Sequence, residues 1–486
     1  MGLDLLVGEG TFDYDKLSRT REHYHGNSPP KIALIQPDSP GLFVPNNFPG
    51  LGLLYISAHL KSRGYSPEFF DFTANENKAY DNPKMTKPID GFDIYAFSSQ
   101  ITQFKESTEM MRQIRDRNPK AFFVIGGPFV SRSPGYALKE GWDVVGQGEG
   151  EDSLLQVVNA HPNITRSSTV AARDYVDPNL LPDWDAIDPL RYIYQLNGKR
   201  CINIMTKRGN CPFKCTFCAL QEVGISKLRD RSIENVLNEA KHLKDKYGFG
   251  SIAIYDDEIL LGNRKSKERD KKIFGGLKEL DMPYRAMTRA NLAGETYEEK
   301  EHYIKMLAET GCGECCIGLE SADPFIHEVV VNKLTTIQDH SDFVEISKKY
   351  GLRVKTFLMI GLPSESRGSV ENTKKWLRQY RPENFDISIF TPYPGAPIYQ
   401  HKEKFEIDWN QDHLEQIWYS GQAQYDDCAV WTPYLSSKNI LEIKEEIQGE
   451  FKRGKGGSTD YWGPIKTLQV NNNIPNREDP DWLCSH

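Results

Sequence analysis

The chain has no cysteine before Cys201 and no apolar run approaching the roughly 18 to 20 residues that span a membrane. Its first residues, MGLDLLVGEGTFDYD, are acidic where a secretory signal would be basic, so a cytoplasmic location is expected. The nine cysteines are odd in number, and six fall in two tight groups, Cys211, Cys215, Cys218 and Cys312, Cys315, Cys316. That distribution excludes a secreted disulfide framework and suits a reducing compartment. Positive charge is also short: a net charge of -8 and a pI near 5.9 argue against nucleic acid as the main partner, because phosphate binding needs clustered Lys and Arg. The basic run from Arg264 to Lys272 is interrupted by acids and reads as a solvated helix face. At 486 residues, 38% hydrophobic and 26% charged, the chain has room for two or three ordinary cores.

The first cysteine group is the focus of what is present. Cys211, Cys215 and Cys218 have C-x3-C-x2-C spacing and follow an apolar strand, Cys201-Ile202-Asn203-Ile204-Met205. Three thiolates can hold three irons of a cubic 4Fe-4S cluster and leave the fourth iron open, whereas a structural cluster or zinc wants four protein ligands. The open iron can take the amino and carboxylate groups of S-adenosylmethionine, and Phe217, beside the third cysteine, is placed to pack on the adenine. The alternative is a zinc knuckle lacking its fourth ligand. In these cysteines and their context the sequence resembles the radical SAM superfamily. The resemblance implies reductive cleavage of S-adenosylmethionine to methionine and a 5'-deoxyadenosyl radical, with a flavodoxin or ferredoxin type protein as electron donor.

Residues 1–29 show weak periodicity and read as an N-terminal arm. Over 30–160 short apolar strands alternate with helical patterns, which predicts an α/β fold with a parallel, doubly wound Rossmann-like sheet. Ligands of such sheets sit at the carboxyl ends of the strands, near the point where strand order reverses. Ser98-Ser99-Gln100 and Gly126-Gly127-Pro128 fall at those ends. With Pro49 to Tyr55, Gly126-Gly127-Pro128 and Gly148-Glu149-Gly150-Glu151, this stretch resembles the cobalamin-binding domain of one large radical SAM branch. Ser98, Gly126, Gly127 and Gly148 are the candidate cofactor residues, since a flat corrin ring needs close backbone approach. The same glycines also suit plain tight turns. Two departures stand out: there is no Asp-x-His-x-x-Gly segment, and Phe129 stands where relatives often have His. Some relatives keep this domain without needing the cofactor.

Residues 161–196 are rich in Asp and Pro and read as a linker. From 197 to 400 six strand-helix units predict a partial (β/α)6 TIM-type barrel with its site at the carboxyl ends of the strands. The resemblance assigns their polar ends to S-adenosylmethionine: Asp256 and Asp257 to the methionine ammonium, Arg289 to its carboxylate, Glu320 and Ser321 to the ribose hydroxyls, Gly361 to the adenine. Tyr393 ends the sixth strand. Asn210 separates Gly209 from Cys211 where relatives usually run Arg-Gly-Cys. Lys207, Arg208 and Lys214 surround the cysteines, and their charge is expected to lower the thiolate pKa values. Cys315 and Cys316 fall on a buried strand, so packing rather than a second metal site is expected there. The lack of an N-terminal cysteine triad speaks against the methylthiotransferases. Residues 401–486 read as a helical, aromatic-rich C-terminal cap that carries Trp409, Trp418, Tyr419, Tyr425, Trp431, Tyr434, Tyr461, Trp462 and Trp482.

The expected activity is a cobalamin-dependent C-methylation at an unactivated carbon of a small metabolite or natural-product intermediate. The alternatives are a cobalamin-independent radical SAM dehydratase, oxidase or cyclase, and a non-catalytic iron-sulfur sensor. No residue type in the chain identifies a catalytic acid or base.

Overall fold

A computed structural model describes residues 29–39, 47–73, 89–173, 175–209, 211–222, 227–420 and 427–451. Asn210, Tyr425, Tyr461, Trp462, Trp482 and nearly all of the expected N-terminal arm lie outside them, as does the Tyr419 side chain. No helix among the described residues is long and apolar enough to cross a membrane.

The first sheet is built from β1 (Ile32–Gln36), β2 (Glu68–Asp71), β3 (Ile94–Ser98), β4 (Phe122–Gly126), β5 (Val144–Gln147) and β6 (Ser168–Ala171), in the order β2-β1-β3-β4-β5-β6 and parallel throughout. Helices α1 (Leu51–Ser62), α2 (Phe104–Arg117), α3 (Pro128–Arg132), α4 (Pro134–Lys139) and α5 (Gly150–Ala160) cover its two faces. One core holds Met111 and Ile114 of α2 with Val130 and Ala137; the other holds Leu53 and Leu60 of α1 with Val157 and Val158 of α5. Both faces are therefore apolar, which is why the strands read as continuous hydrophobic runs. Strand order reverses at β1 and β3, so a crevice opens at their carboxyl ends.

Part of the stretch expected to be a linker is strand β6. It forms an edge on which only Val170 is buried, so its sequence carries no apolar run. The rest of that stretch straps the first sheet to the second domain. Asp183 accepts from Ser57 Oγ (2.5 Å) and pairs with Lys61, and Trp184 Nε1 donates to Glu239.

The second sheet contains β7 (Gln195–Leu196) and β8 (Lys199–Ile204), then, past the hairpin strands β9 (Lys207–Arg208) and β10 (Arg229–Asp230), β11 (Ser251–Ile254), β12 (Tyr284–Met287), β13 (Cys312–Glu320), β14 (Val354–Ile360) and β15 (Asn384–Ile389). From β8 to β15 each strand is parallel to the next, and β7 is antiparallel to β8. β15 pairs only with β14 among the described strands, so the barrel stays open. Helices α6 (Ile233–Tyr247), α7 (Arg264–Glu279), α8 (Tyr297–Glu309), α9 (Ile337–Lys349) and α10 (Arg367–Tyr380) connect these strands. Ser232, Asn263, Thr296, Thr336 and Ser366 each accept a backbone N–H at the helix starts, which stops fraying where the chain must turn back.

After β15 come α11 (Pro397–Gln400), β16 (Asp408–Trp409), α12 (Gln411–Ser420), β17 (Val430–Trp431) and α13 (Ser437–Phe451). This segment shares the barrel core: Leu414, Trp418, Ile440 and Ile443 are buried in it. α13 runs along β14 and β15, the place where a sixth barrel helix belongs. Trp418 Nε1 donates to Pro392 O (2.9 Å) and its ring meets Tyr136 of α4, so α12 joins the two domains. Trp431 and Tyr434 stay exposed.

Candidate functional site

Between the two sheets lies a cavity of about 390 Å3. Its floor comes from the carboxyl ends of β3, β4 and β5, where Ser98, Gly126, Gly127 and Gly148 line it. Its opposite wall comes from the barrel, with Cys211, Asp256, Asp257 and Glu258. Residues expected to serve two different groups are thus gathered around one space.

The floor is open because side chains are missing from it. A Cβ added at Gly52 would find nothing nearer than Ser98 Oγ at 4.0 Å, and one at Gly126 nothing nearer than Gly146 O at 3.9 Å. Those two positions are a cradle that a methyl group would begin to fill, as a flat ring needs. Gly127 has another reason to be glycine: its φ is +114° and a Cβ would come within 2.3 Å of Ser99 O.

The cysteine loop has no regular structure and is tied down by its neighbours. Thr216 donates from its N to Val331 O (3.2 Å) and from Oγ1 to Val330 O (2.5 Å), and accepts from Ile398 N (3.1 Å). Cys215 is close enough to both Cys211 and Cys218 to raise their pKa values. Among the described residues no three His, Cys, Asp or Glu side chains are arranged to hold one metal ion. A cubane needs no such convergence, because each thiolate takes a separate iron. The donor set therefore suits a cluster better than a zinc knuckle.

The expected low thiolate pKa values are not found. Burial pushes Cys211 up to about 11 against the pull of the Phe213 N–H, and burial also raises Cys218. Two of the three expected cations are engaged elsewhere: Lys207 is buried on Asp270 (2.8 and 2.9 Å), and Arg208 pairs with Glu151, while Lys214 is exposed. Arg132 of α3, across the cavity, is the cation that lowers Cys218. It also lines the cavity and donates to Pro128 O (2.7 Å). Nothing in the sequence marked it, since its relation to the cysteines is made by domain packing alone.

Arg289, 1% exposed, lies with its guanidinium 3.8 Å from the ring centroid of Phe213 in the cysteine loop. Its Nε and Nη2 meet no hydrogen-bond partner among the described residues. A buried cation with donors unused fits an anionic ligand such as a carboxylate. Close by, Glu258 Oε2 also lacks a partner among the described residues, and burial pushes the Glu258 carboxyl up to about 7 against the pull of Lys333 and Arg289. The only sequence signal for Glu258 is that it completes the acidic run Asp256-Asp257-Glu258.

The other expected site residues also have protein partners. Asp256 reaches the cavity wall, but Oδ1 accepts from Thr206 N (2.7 Å) and Lys207 N (3.2 Å) and Oδ2 from Thr206 Oγ1, so it serves the turn after β8. Asp257 accepts from the Cys211 N–H, which leaves it beside the loop. Glu320 accepts from Lys333 Nζ (2.8 Å), and Ser321 Oγ accepts from Asp323 N (3.2 Å) in the turn after β13. Phe217 and Tyr393 are partly buried against the barrel core. Cys312, Cys315 and Cys316 are buried, as expected for packing residues.

Gly361 faces away from the cavity. A Cβ there would meet Ile440 at 3.1 Å and Val430 at 3.4 Å, and its N–H donates to Glu365 (2.5 Å). Burial pushes the Glu365 carboxyl up from 4.5 to about 8, with the Gly361 and Leu362 N–H groups pulling it back. The folded chain thus holds a proton that the unfolded chain releases near 4.5, so stability is full below that value and falls as pH rises toward 8. Glu365→Gln is expected to flatten this fall. Urea unfolding from about pH 5 to about pH 9 checks it, and an unchanged slope would show that another group is responsible.

Comparison with known proteins agrees with this geometry. The Radical SAM superfamily profile matches residues 207–377 and the B12 binding domain profile matches residues 42–158. An uncharacterised methyltransferase of Pyrococcus horikoshii is 28% identical over 393 residues, covering 76% of this chain and 83% of the relative. An anaerobic magnesium-protoporphyrin IX monomethyl ester cyclase of Cereibacter sphaeroides is 24% identical over 407 residues, covering 78% and 64%. In fold, the chain is similar to the radical S-adenosylmethionine methyltransferase TsrM of Kitasatospora setae, solved with cobalamin and a 4Fe-4S cluster bound. The TM-score is 0.60 at 15% identity, over 79% of this chain and 81% of that one. The chain is thus an enzyme that carries a B12 binding domain ahead of a Radical SAM domain.

Proposed function

We propose that the chain is a cobalamin-dependent radical SAM methyltransferase that methylates an unactivated carbon of a small metabolite or natural-product intermediate. The observation that carries this reading is the single cavity with a glycine floor on one side and Cys211, Asp257 and Glu258 on the other. Two groups held face to face across it meet without leaving the protein. When bound, a reduced cluster would supply the electron that cleaves one S-adenosylmethionine to methionine and a hydrogen-abstracting radical, and the corrin would carry to the substrate carbon the methyl group of a second S-adenosylmethionine.

The chain's own residues would hold and orient these groups. Cys211, Cys215 and Cys218 would ligate three irons, releasing the protons that burial now favours on Cys211 and Cys218. Arg289 would pair with the methionine carboxylate, Asp257 and Glu258 with its ammonium, and Phe217 would pack on the adenine. Ser98, Gly126, Gly127 and Gly148 would let the corrin ring approach the strand ends. Ile56, Leu154 and Leu261 make part of the cavity wall apolar, which keeps water from a radical. An external flavodoxin or ferredoxin would deliver the electron.

The test is anaerobic purification with cobalamin supplied, followed by an optical spectrum and iron and cobalt analysis. About four irons and near-stoichiometric cobalt are expected, with methylated product formed from the correct substrate. Four irons with no retained cobalt would overturn the reading.

A further inference from the structure

Strands β9 and β10 form a short antiparallel hairpin in which Arg208 and Arg229 stand directly opposite each other. Like charges in that position repel, so such a pair needs compensation from outside the hairpin. It comes from the first domain. Arg208 is ion-paired with Glu151 and Arg229 with Glu149, the two acids of Gly148-Glu149-Gly150-Glu151. The four side chains are 4–15% exposed, so both pairs are largely withdrawn from water. The arginines also lie over aromatic rings from outside the barrel, Arg208 over Tyr55 of α1 (4.4 Å) and Arg229 over Tyr175 (4.7 Å).

The other end of the hairpin is rooted in the barrel. Lys207 is buried on Asp270, and Arg269 Nη2 donates to Thr206 O and Arg231 O, each at 2.6 Å. Only Gly209 and Asn210 separate Arg208 from Cys211. Gly209 is required where it stands, because its φ is +114° and a Cβ would come within 2.6 Å of Lys227 O in the facing segment. Arg208 lines the cavity as well, so the hairpin and the cavity wall share this side chain.

We propose that Glu149 and Glu151 are positioning residues: with Arg229 and Arg208 they clamp the hairpin to the first domain and so fix the start of the cysteine loop over the glycine floor. The clamp itself rests on geometry alone; its consequence for methyl transfer rests on the function proposed above. Without it the two cofactor sites drift relative to each other, and radical formation is no longer matched by methyl delivery.

The test uses the full-length protein carrying Glu149→Gln and Glu151→Gln together, and a second variant with the pair exchanged, Glu151→Arg with Arg208→Glu. Hydrogen exchange at residues 206–209 and 227–230 is expected to rise about tenfold or more in the double glutamine variant, since each guanidinium is left buried without its countercharge. In the loaded enzyme the ratio of 5'-deoxyadenosine to methylated product is expected to rise while iron content holds. The exchanged pair is expected to recover much of the lost protection. Unchanged exchange in the double variant overturns the clamp, as does loss of cobalt with exchange unchanged, which would make the glutamates cofactor contacts. If the wild-type protein retains no cobalt, the proposed function fails while hydrogen exchange still decides the clamp.

Discussion

Arg289→Met is expected to lower 5'-deoxyadenosine formation about a hundredfold or more, because removing one partner of a buried charged pair costs about 2–5 kcal/mol and each 1.4 kcal/mol is a factor of ten. The guanidinium is buried against Phe213 with two nitrogens unused among the described residues, so it is poised to pair with a ligand. Methionine keeps most of the apolar stem and removes the unmet donors, so the ligand-free protein should lose little stability and can even gain some. That combination separates ligand binding from a structural role. Iron content should change little, since Thr216 still ties the cysteine loop to Val330, Val331 and Ile398 when the Arg289–Phe213 contact is lost. Arg289→Lys should recover only part of the rate, because an ammonium cannot reproduce a planar fork of donors. Near-normal 5'-deoxyadenosine yield from Arg289→Met, at saturating S-adenosylmethionine, would remove this residue from the site.

The largest stability effect is expected at Lys207. Its ammonium lies 2.8 Å from Asp270 Oδ2 and 3.8 Å from Asp256 Oδ2, and all three side chains are at most 2% exposed. Lys207→Met leaves two carboxylates facing each other in the interior, at a cost of about 3–5 kcal/mol. Arg269 remains on Asp270 at 2.6 Å and softens the loss without cancelling it. The sign of the pH dependence follows from Asp256, whose carboxyl is already raised by burial and pulled back first of all by Lys207. Without that cation it rises further, so the folded variant is stabilised by protonation and loses stability as pH increases. Denaturant unfolding of both proteins at several pH values checks this. A Lys207→Met protein as stable as wild type at neutral pH would mean that water reaches this cluster.

Other contacts distinguish residues that the sequence leaves equal. Asp256 and Asp257 are adjacent and chemically equal on paper. Asp256, two residues past β11, points at the Thr206 and Lys207 amides, Asp257 turns to the Cys211 amide, and Glu258, which lines the cavity, keeps a buried oxygen without a partner among the described residues. Local sequence cannot rank three neighbouring acids, because the ranking depends on which backbone amides the next strand presents. Gly361 is similar: a glycine at a strand end suits a ligand or a neighbouring helix equally, and here α13 takes the place.

The sequence by itself determined the chemistry class and the order of the parts. Thiolate spacing is a local property, so Cys211, Cys215 and Cys218 announce a three-ligand site before any folding. Strand-helix alternation is also local, and it yielded both parallel sheets and the open six-strand barrel. Strand β6 escaped because an edge strand with one buried residue has no apolar signature. Tertiary structure alone decided what happens across the domain boundary: Arg132 beside Cys218, α12 bridging Tyr136 and the barrel, and Glu149 and Glu151 on Arg229 and Arg208. The paired residues lie 57 to 282 positions apart in the chain. Coulomb attraction and packing between them depend on distance in space, which no pattern of neighbours along the chain encodes.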